Sequence, residues 1–185
     1  MSLAELREIL IKDVVASAQA LVGAELVKGL MRARIVETEA YRGSDDPASH
    51  AFRGPTPRTQ VMFGEPGLAY MYFNYGVHWM LNVTTYASGQ AGAVLIRAAQ
   101  PLAGLEEMRE NRPGVHEKDL LSGPGKLAKA FGLTGADNFI DLLDLNSPLR
   151  LIPARTIPAS FQGFGWASRT GRLTTVHGGF WMQIA

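Results

Sequence analysis

The chain has 185 residues and no cysteine, which removes disulfides, thiolate zinc sites and a cysteine nucleophile from consideration. Histidine is also scarce. The four present (His50, His78, His116 and His177) include no H-x-x-x-H pair, so no metal centre is expected. No apolar run approaches the length of a membrane span, and the N-terminus lacks the basic start and cleavage site of a signal peptide. A cytoplasmic protein without a membrane partner is therefore expected. Charge of one sign is nearly absent in excess: the net charge of +1 excludes a broadly cationic nucleic-acid coat but leaves room for a local basic face.

What is present is enough for one core. With 46% hydrophobic residues over this length, a single domain is expected. Ser2 followed by Glu5 predicts a capping box opening a short helix, and a second, Ala-rich helix is predicted from Asp13 to Gly23. Leu26 and Val27 lead into a Lys28-Gly29 turn, followed by a long strand from Met31 to Tyr41. Residues 42–58 read as loop, with Asp45 and Asp46 in solvation and turn roles. The aromatic stretch from Leu68 to Tyr86 reads as two strands joined at Asn74-Tyr75-Gly76. A third strand is predicted at Ala93–Ala98, then helices near Pro101–Asn111 and after Ser122-Gly123-Pro124-Gly125. Strand character returns at Leu149–Ile152 and near the C-terminus. Segregation of strands from helices predicts an α+β fold: a curved, mostly antiparallel sheet with flanking helices and a protruding aromatic hairpin.

Alternation along the first long strand places Ile35, Glu37, Glu39 and Tyr41 on one face. Two carboxylates and a tyrosine beside a long loop describe either an acidic solvent-facing edge or a pocket wall carrying a general base. In the hairpin, Tyr70 and Tyr72 share a face while Tyr75 occupies the turn. Tyr75 is then either a turn residue folded back on the sheet or a wedge that enters a base stack. His50 reads as a solvated loop histidine or a pocket residue. Arg53, Arg58 and Arg97 read as surface charge or as phosphate contacts. Ser122-Gly123-Pro124-Gly125-Lys126 is no nucleotide-binding loop, because Leu127 stands where a hydroxyl is needed. It is either a plain helix start or a seat for a DNA phosphate near Lys126. No cofactor motif is found and none is expected. Trp79, Trp166 and Trp181 are read as core or near-core.

These residues in this order resemble the alkyladenine (3-methyladenine, or methylpurine) DNA glycosylases. The resemblance is carried by Arg34-Ile-Val-Glu-Thr-Glu-Ala-Tyr41, His50, Thr56-Pro-Arg58, Met62-Phe63 and Pro66-Gly67. It continues through Tyr70-Met-Tyr72, Tyr75-Gly76, Asn82-Val83, Leu95-Ile-Arg97-Ala98 and Leu121-Ser-Gly-Pro124 with Lys126-Leu127. It covers roughly residues 14 to 135, while the stretches 161–166 and 173–181 match the family's ending only loosely.

The resemblance implies a monofunctional DNA N-glycosylase acting on double-stranded DNA that contains damaged purines, with no obligatory protein partner. Glu39 matches the carboxylate that activates a water for attack on C1′, and Arg97 an arginine that places that water and a phosphate. Tyr41 and His50 match residues on one side of the flipped base, and Tyr72 the aromatic opposite. Asn82 matches a pocket-floor residue that disfavours the amino group of guanine, and Tyr75 the intercalating residue. Arg58 and Lys126 are expected on the DNA backbone. Rival readings are a lesion-binding module without excision, a nucleoside or RNA N-glycosidase, and a small group-transferring domain of related fold.

Overall fold

The computed structural model describes residues 1–87 and 89–155, and the backbone alone of 161–164 and 180–184. The chain opens with α1 (Leu3–Lys12), whose capping box has the expected partners: the Glu5 amide donates to the Ser2 hydroxyl at 3.2 Å, and the Ser2 amide to the Glu5 carboxylate at 2.6 Å. Both satisfy donors that the first helical turn leaves open. Asp13 ends this helix and caps the next, α2 (Val14–Leu21), accepting from the Ala16 amide at 2.7 Å.

The sheet follows. β1 (Glu25–Lys28) and β2 (Met31–Tyr41) form a hairpin, with Lys28 opposite Met31, so its two-residue turn is Gly29-Leu30, one position later than predicted. β3 (Ala69–Asn74), β4 (His78–Thr85) and β5 (Gly92–Ala103) form the aromatic meander. α3 (Leu105–Asn111) and α4 (Pro124–Ala130) come next, then β6 (Leu149–Ile152), β7 (Phe161–Phe164) and β8 (Phe180–Ile184). Every pairing among the described strands is antiparallel, in the order β3-β4-β5-β2-β1-β6, with β7 reaching the sheet through β8. β8 pairs with β2 beyond the end of β1, on the same edge. The result is an α+β fold built on a curled, half-barrel-like sheet. Among the described residues no helix is long and apolar enough to cross a membrane.

The two faces of the sheet do different things. One packs on the helices around Leu6, Leu10, Leu21, Ile35, Leu81, Val94, Ile96 and Leu127, all fully buried. There the Thr38 hydroxyl donates to the Ala18 carbonyl at 3.0 Å, tying β2 to α2. The opposite face carries a smaller cluster of Ala51, Val61, Met62, Tyr70 and Ala93, with Phe63, Leu68 and Tyr72 packed on it. Residues 42–63, including a 3-10 turn at Gln60–Phe63, lie against this second face.

Three further expectations need correction, the last only in part. Ile35 does not share a face with Glu37, Glu39 and Tyr41: it lies in the helix-side core, as do Ala33 and Ala40. The pairing of β2 with β5 slips on both sides of Glu37, and this irregularity shifts the alternation by one residue. The helix near Pro101–Asn111 begins only at Leu105, because β5 runs on to Ala103 along β2. Gly104 makes the break at φ +72°, where an added Cβ would lie 2.6 Å from the Met31 Cα. Asp46 has its expected turn role, accepting from the amides of Arg42 and Ala48, but it is buried rather than solvated. Trp79 is half-buried against the main core, Trp166 lies outside the described residues, and only the backbone of Trp181 is described.

Candidate active site

Cross-strand register assembles the site. Tyr70 pairs with Asn82, Asn82 with Leu95, and Leu95 with Glu39, forming one row across β3, β4, β5 and β2. With neighbouring strands about 4.8 Å apart, residues far apart in sequence become near neighbours on one concave face. Tyr41, Ala48, His50, Met62, Tyr70, Tyr72, Asn82 and Ala93 line a small pocket there that opens to solvent.

The carboxylates sit at its side. Glu39 is 3% exposed, and Arg97 donates to it from Nη1 at 2.6 Å. The same guanidinium donates from Nε to Glu37 at 2.8 Å. Burial opposes the positive charge of Arg97, but hydrogen bonds and charges from Glu37 and Glu39 more than offset it and raise its pKa. Burial, followed by the Glu39 charge and a hydrogen bond to it, pushes the Tyr41 phenol well above its ordinary range. Burial, Tyr70 and Glu39 push Tyr72 up to about 12. Both phenols are therefore neutral near pH 7, and the Glu39 carboxylate faces the aromatic pocket closely enough to be felt by both.

The opposite wall is a hydrogen-bonded aromatic cluster. His50 Nδ1 lies 2.9 Å from the Tyr70 hydroxyl, and Arg58 Nη2 lies 2.7 Å from His50 Nε2. The same Nη2 also lies 3.1 Å from Nδ1, and since an arginine can only donate, the imidazole is the acceptor. The His50 and Tyr72 rings meet edge-on with centroids 4.6 Å apart, leaving no gap a base wide between them. A base sandwiched between His50 and Tyr72 therefore requires one of these rings to turn aside. Arg58 sits over the Tyr72 ring, 5.1 Å from its centroid, rather than reaching away from the pocket. Asn82 is buried and donates to the Tyr70 carbonyl at 3.2 Å, which fixes the direction of its amide.

Burial and, secondarily, the Arg58 charge lower the pKa of His50 to about 4, so its ring is neutral at pH 7. Between its ordinary value of 6.5 and about 4 the unfolded chain takes up a proton that the folded chain refuses. Stability contributed here is thus lost as pH falls through that window. In a histidine-resolved NMR titration His50 is expected to titrate near 4, and Arg58→Ala is expected to move the midpoint upward. A midpoint at 6.5 in the unaltered chain would place the ring in open water.

Tyr75 stands apart at the hairpin tip, 79% exposed and with a left-handed backbone at φ +50°. Lys126 is on α4, which packs against β4 and brings Gly125 close to His78, the residue that closes the hairpin turn opposite Asn74. Its ammonium donates to the Ser122 hydroxyl at 2.9 Å. The structure therefore gathers Glu39, Arg97, Tyr41, His50, Tyr72, Asn82 and Arg58 around one pocket, with Tyr75 and Lys126 outside it. Two contributors have no role in the sequence reading: Tyr70, which holds His50, and Glu37, which holds Arg97. Their signals were the alternation Tyr70/Tyr72 and the pair Glu37/Glu39.

Comparison with known proteins agrees with this picture. The chain matches the methylpurine-DNA glycosylase (MPG) family over residues 8–169. A Frankia casuarinae protein named "Putative 3-methyladenine DNA glycosylase" is 52% identical over 125 residues, 68% of this chain and 59% of the relative. A Rhodopseudomonas palustris protein of the same name is 53% identical over 125 residues, 68% of this chain and 60% of the relative. One from Nitrosospira multiformis is 46% identical over 145 residues, covering 76% of this chain and 75% of the relative. The aligned stretch thus spans about 60% of the first two relatives.

Proposed function

Because the chain belongs to the methylpurine-DNA glycosylase family, we propose that it flips alkylated or deaminated purines out of duplex DNA and hydrolyses their N-glycosidic bond. The observation that carries this reading is the buried Glu39 carboxylate, held by Arg97 beside a pocket of neutral aromatic rings. Cleavage of an N-glycosidic bond develops positive charge on the sugar. A preorganised carboxylate both stabilises that charge and takes a proton from the attacking water. The water oxygen bonds to C1′, and the bond from C1′ to the purine nitrogen breaks with its electron pair going to the base. Alkylated purines such as 3-methyladenine are cationic and leave readily. They also gain about 0.5–2 kcal/mol from stacking on a tyrosine face. The neutral His50 adds no charge to repel them.

Selection follows from the same walls. Asn82, locked by its bond to the Tyr70 carbonyl, stands where the exocyclic amino group of guanine would collide. Tyr75 fills the gap that the flipped nucleotide leaves, and Arg58 and Lys126 take backbone phosphates. For Arg58 this means leaving the Tyr72 ring, which frees a face for the base. Among the described residues no lysine lines the pocket, so the product is an abasic site in an uncut strand.

The test uses duplexes carrying hypoxanthine, 1,N6-ethenoadenine or 7-methylguanine, with the matching single strands and free nucleosides as controls. The expected result is alkali-labile sites in at least one duplex and no release from nucleosides. Binding without release from any of them would instead support a lesion-binding module.

A further inference from the structure

Glu37 has no role in the chemistry proposed above, yet the fold goes to some length to aim it at the site. Up to Ile35, odd-numbered residues of β2 face the helix-side core; from Thr38 onward the even-numbered ones do. Of three slips in the β2–β5 register, two fall on either side of Glu37 and the third lies between Arg32 and Ala33. Without the two at Glu37, Glu37 and Glu39 would continue the inward phase of Ala33 and Ile35. A bulge that re-aims side chains beside a site is a recognised use of such an irregularity. Here it brings two carboxylates and one guanidinium together, with Glu37 and Arg97 each about a fifth exposed and Glu39 almost fully buried.

Glu37 and Glu39 take different nitrogens of Arg97, Nε and Nη1. Fixing Nε fixes the plane of the guanidinium, and with it the direction in which Nη1 points. That bond engages Oε2 of Glu39. Resting on the glycosylase reading, we propose that Glu37 is a positioning residue: by gripping Arg97 at Nε it orients the guanidinium that aligns the Glu39 carboxylate for its water. A simple structural ion pair would contribute to folding and leave the rate of the chemical step alone.

The experiment measures single-turnover base release and lesion-duplex affinity for wild type, Glu37→Leu, Glu37→Gln, Arg97→Leu and the double Leu variant, with thermal melting of each. Glu37→Leu is expected to slow release by about 30-fold, within the span of coupling between contacting residues, while leaving affinity nearly unchanged. Glu37→Gln keeps an acceptor for Nε and is expected to recover most of that loss. In the Arg97→Leu background the Glu37 change is expected to cost nothing more, since its only route of action is gone. Should Glu37→Leu fail to fold, Glu37→Asp withdraws the carboxylate from Nε while keeping its charge, and is expected to slow release without weakening binding. Wild-type rates in the Glu37 variants, a loss of rate matched by loss of affinity, or an undiminished effect in the Arg97→Leu background would each overturn the positioning role. Those outcomes leave the glycosylase reading standing if wild type releases base. Absence of release by wild type itself overturns both.

Discussion

Glu39→Gln is expected to slow base release by about 10²- to 10⁴-fold, the range for a positioned general base, with lesion binding nearly intact. At 1.36 kcal/mol per tenfold, that is roughly 3–5 kcal/mol of lost transition-state stabilisation. Two features favour the upper part of the range. The carboxylate is almost fully buried, so its charge is poorly screened. It also takes its place already hydrogen-bonded, with no reorganisation left for the reaction to drive. The substitution is close to isosteric, and the amide oxygen can still accept from Arg97 Nη1. Glu37 remains to balance Arg97, so no stranded buried charge results and the variant is expected to fold. Single-turnover release alongside fluorescence-anisotropy binding checks this. A variant that turns over at the wild-type rate would remove Glu39 from the chemistry.

Tyr75→Gly is expected to weaken binding to a lesion duplex by about 10- to 100-fold, because unstacking a base step costs a few kcal/mol and the wedge is gone. Tyr75 holds a left-handed backbone at φ +50° on an exposed tip, a conformation that costs a side-chain-bearing residue about 1–2 kcal/mol. A duplex affinity equal to wild type would mean that the ring does not enter the stack.

Much of the fold was legible because the signals are local. Ser2 and Glu5, Asp13, the run Met31–Tyr41 and the tyrosine alternation around a Gly-containing turn each act within a few residues. The family resemblance points to Glu39, Tyr41, His50, Tyr72, Asn82 and Arg97; the register of four strands brings five of them to one side of the sheet, and the 42–63 segment adds His50. What was not legible depends on pairing across the sheet. The slip beside Glu37 exists only because β2 meets β5 out of step, so alternation alone put Ile35 on the wrong face. The end of β5 at Ala103 is set by its partner strand rather than by Pro101, which resembles a helix start when read alone. Arg58 reads as a phosphate contact from its loop, yet it lies over Tyr72 because an uncovered aromatic face and a neutral imidazole are its nearest partners. The turn role of Asp46 is local and legible, but its burial depends on how the 42–63 segment folds against the sheet.

The central claim is that this pocket releases damaged purines from DNA by hydrolysis. It is tested most directly by incubating the protein with genomic DNA methylated by dimethyl sulfate, precipitating the polymer and identifying the soluble bases by mass spectrometry. The account predicts free methylated purines well above the spontaneous level, from strands that stay intact until alkali is added. A supernatant matching the protein-free control would contradict it.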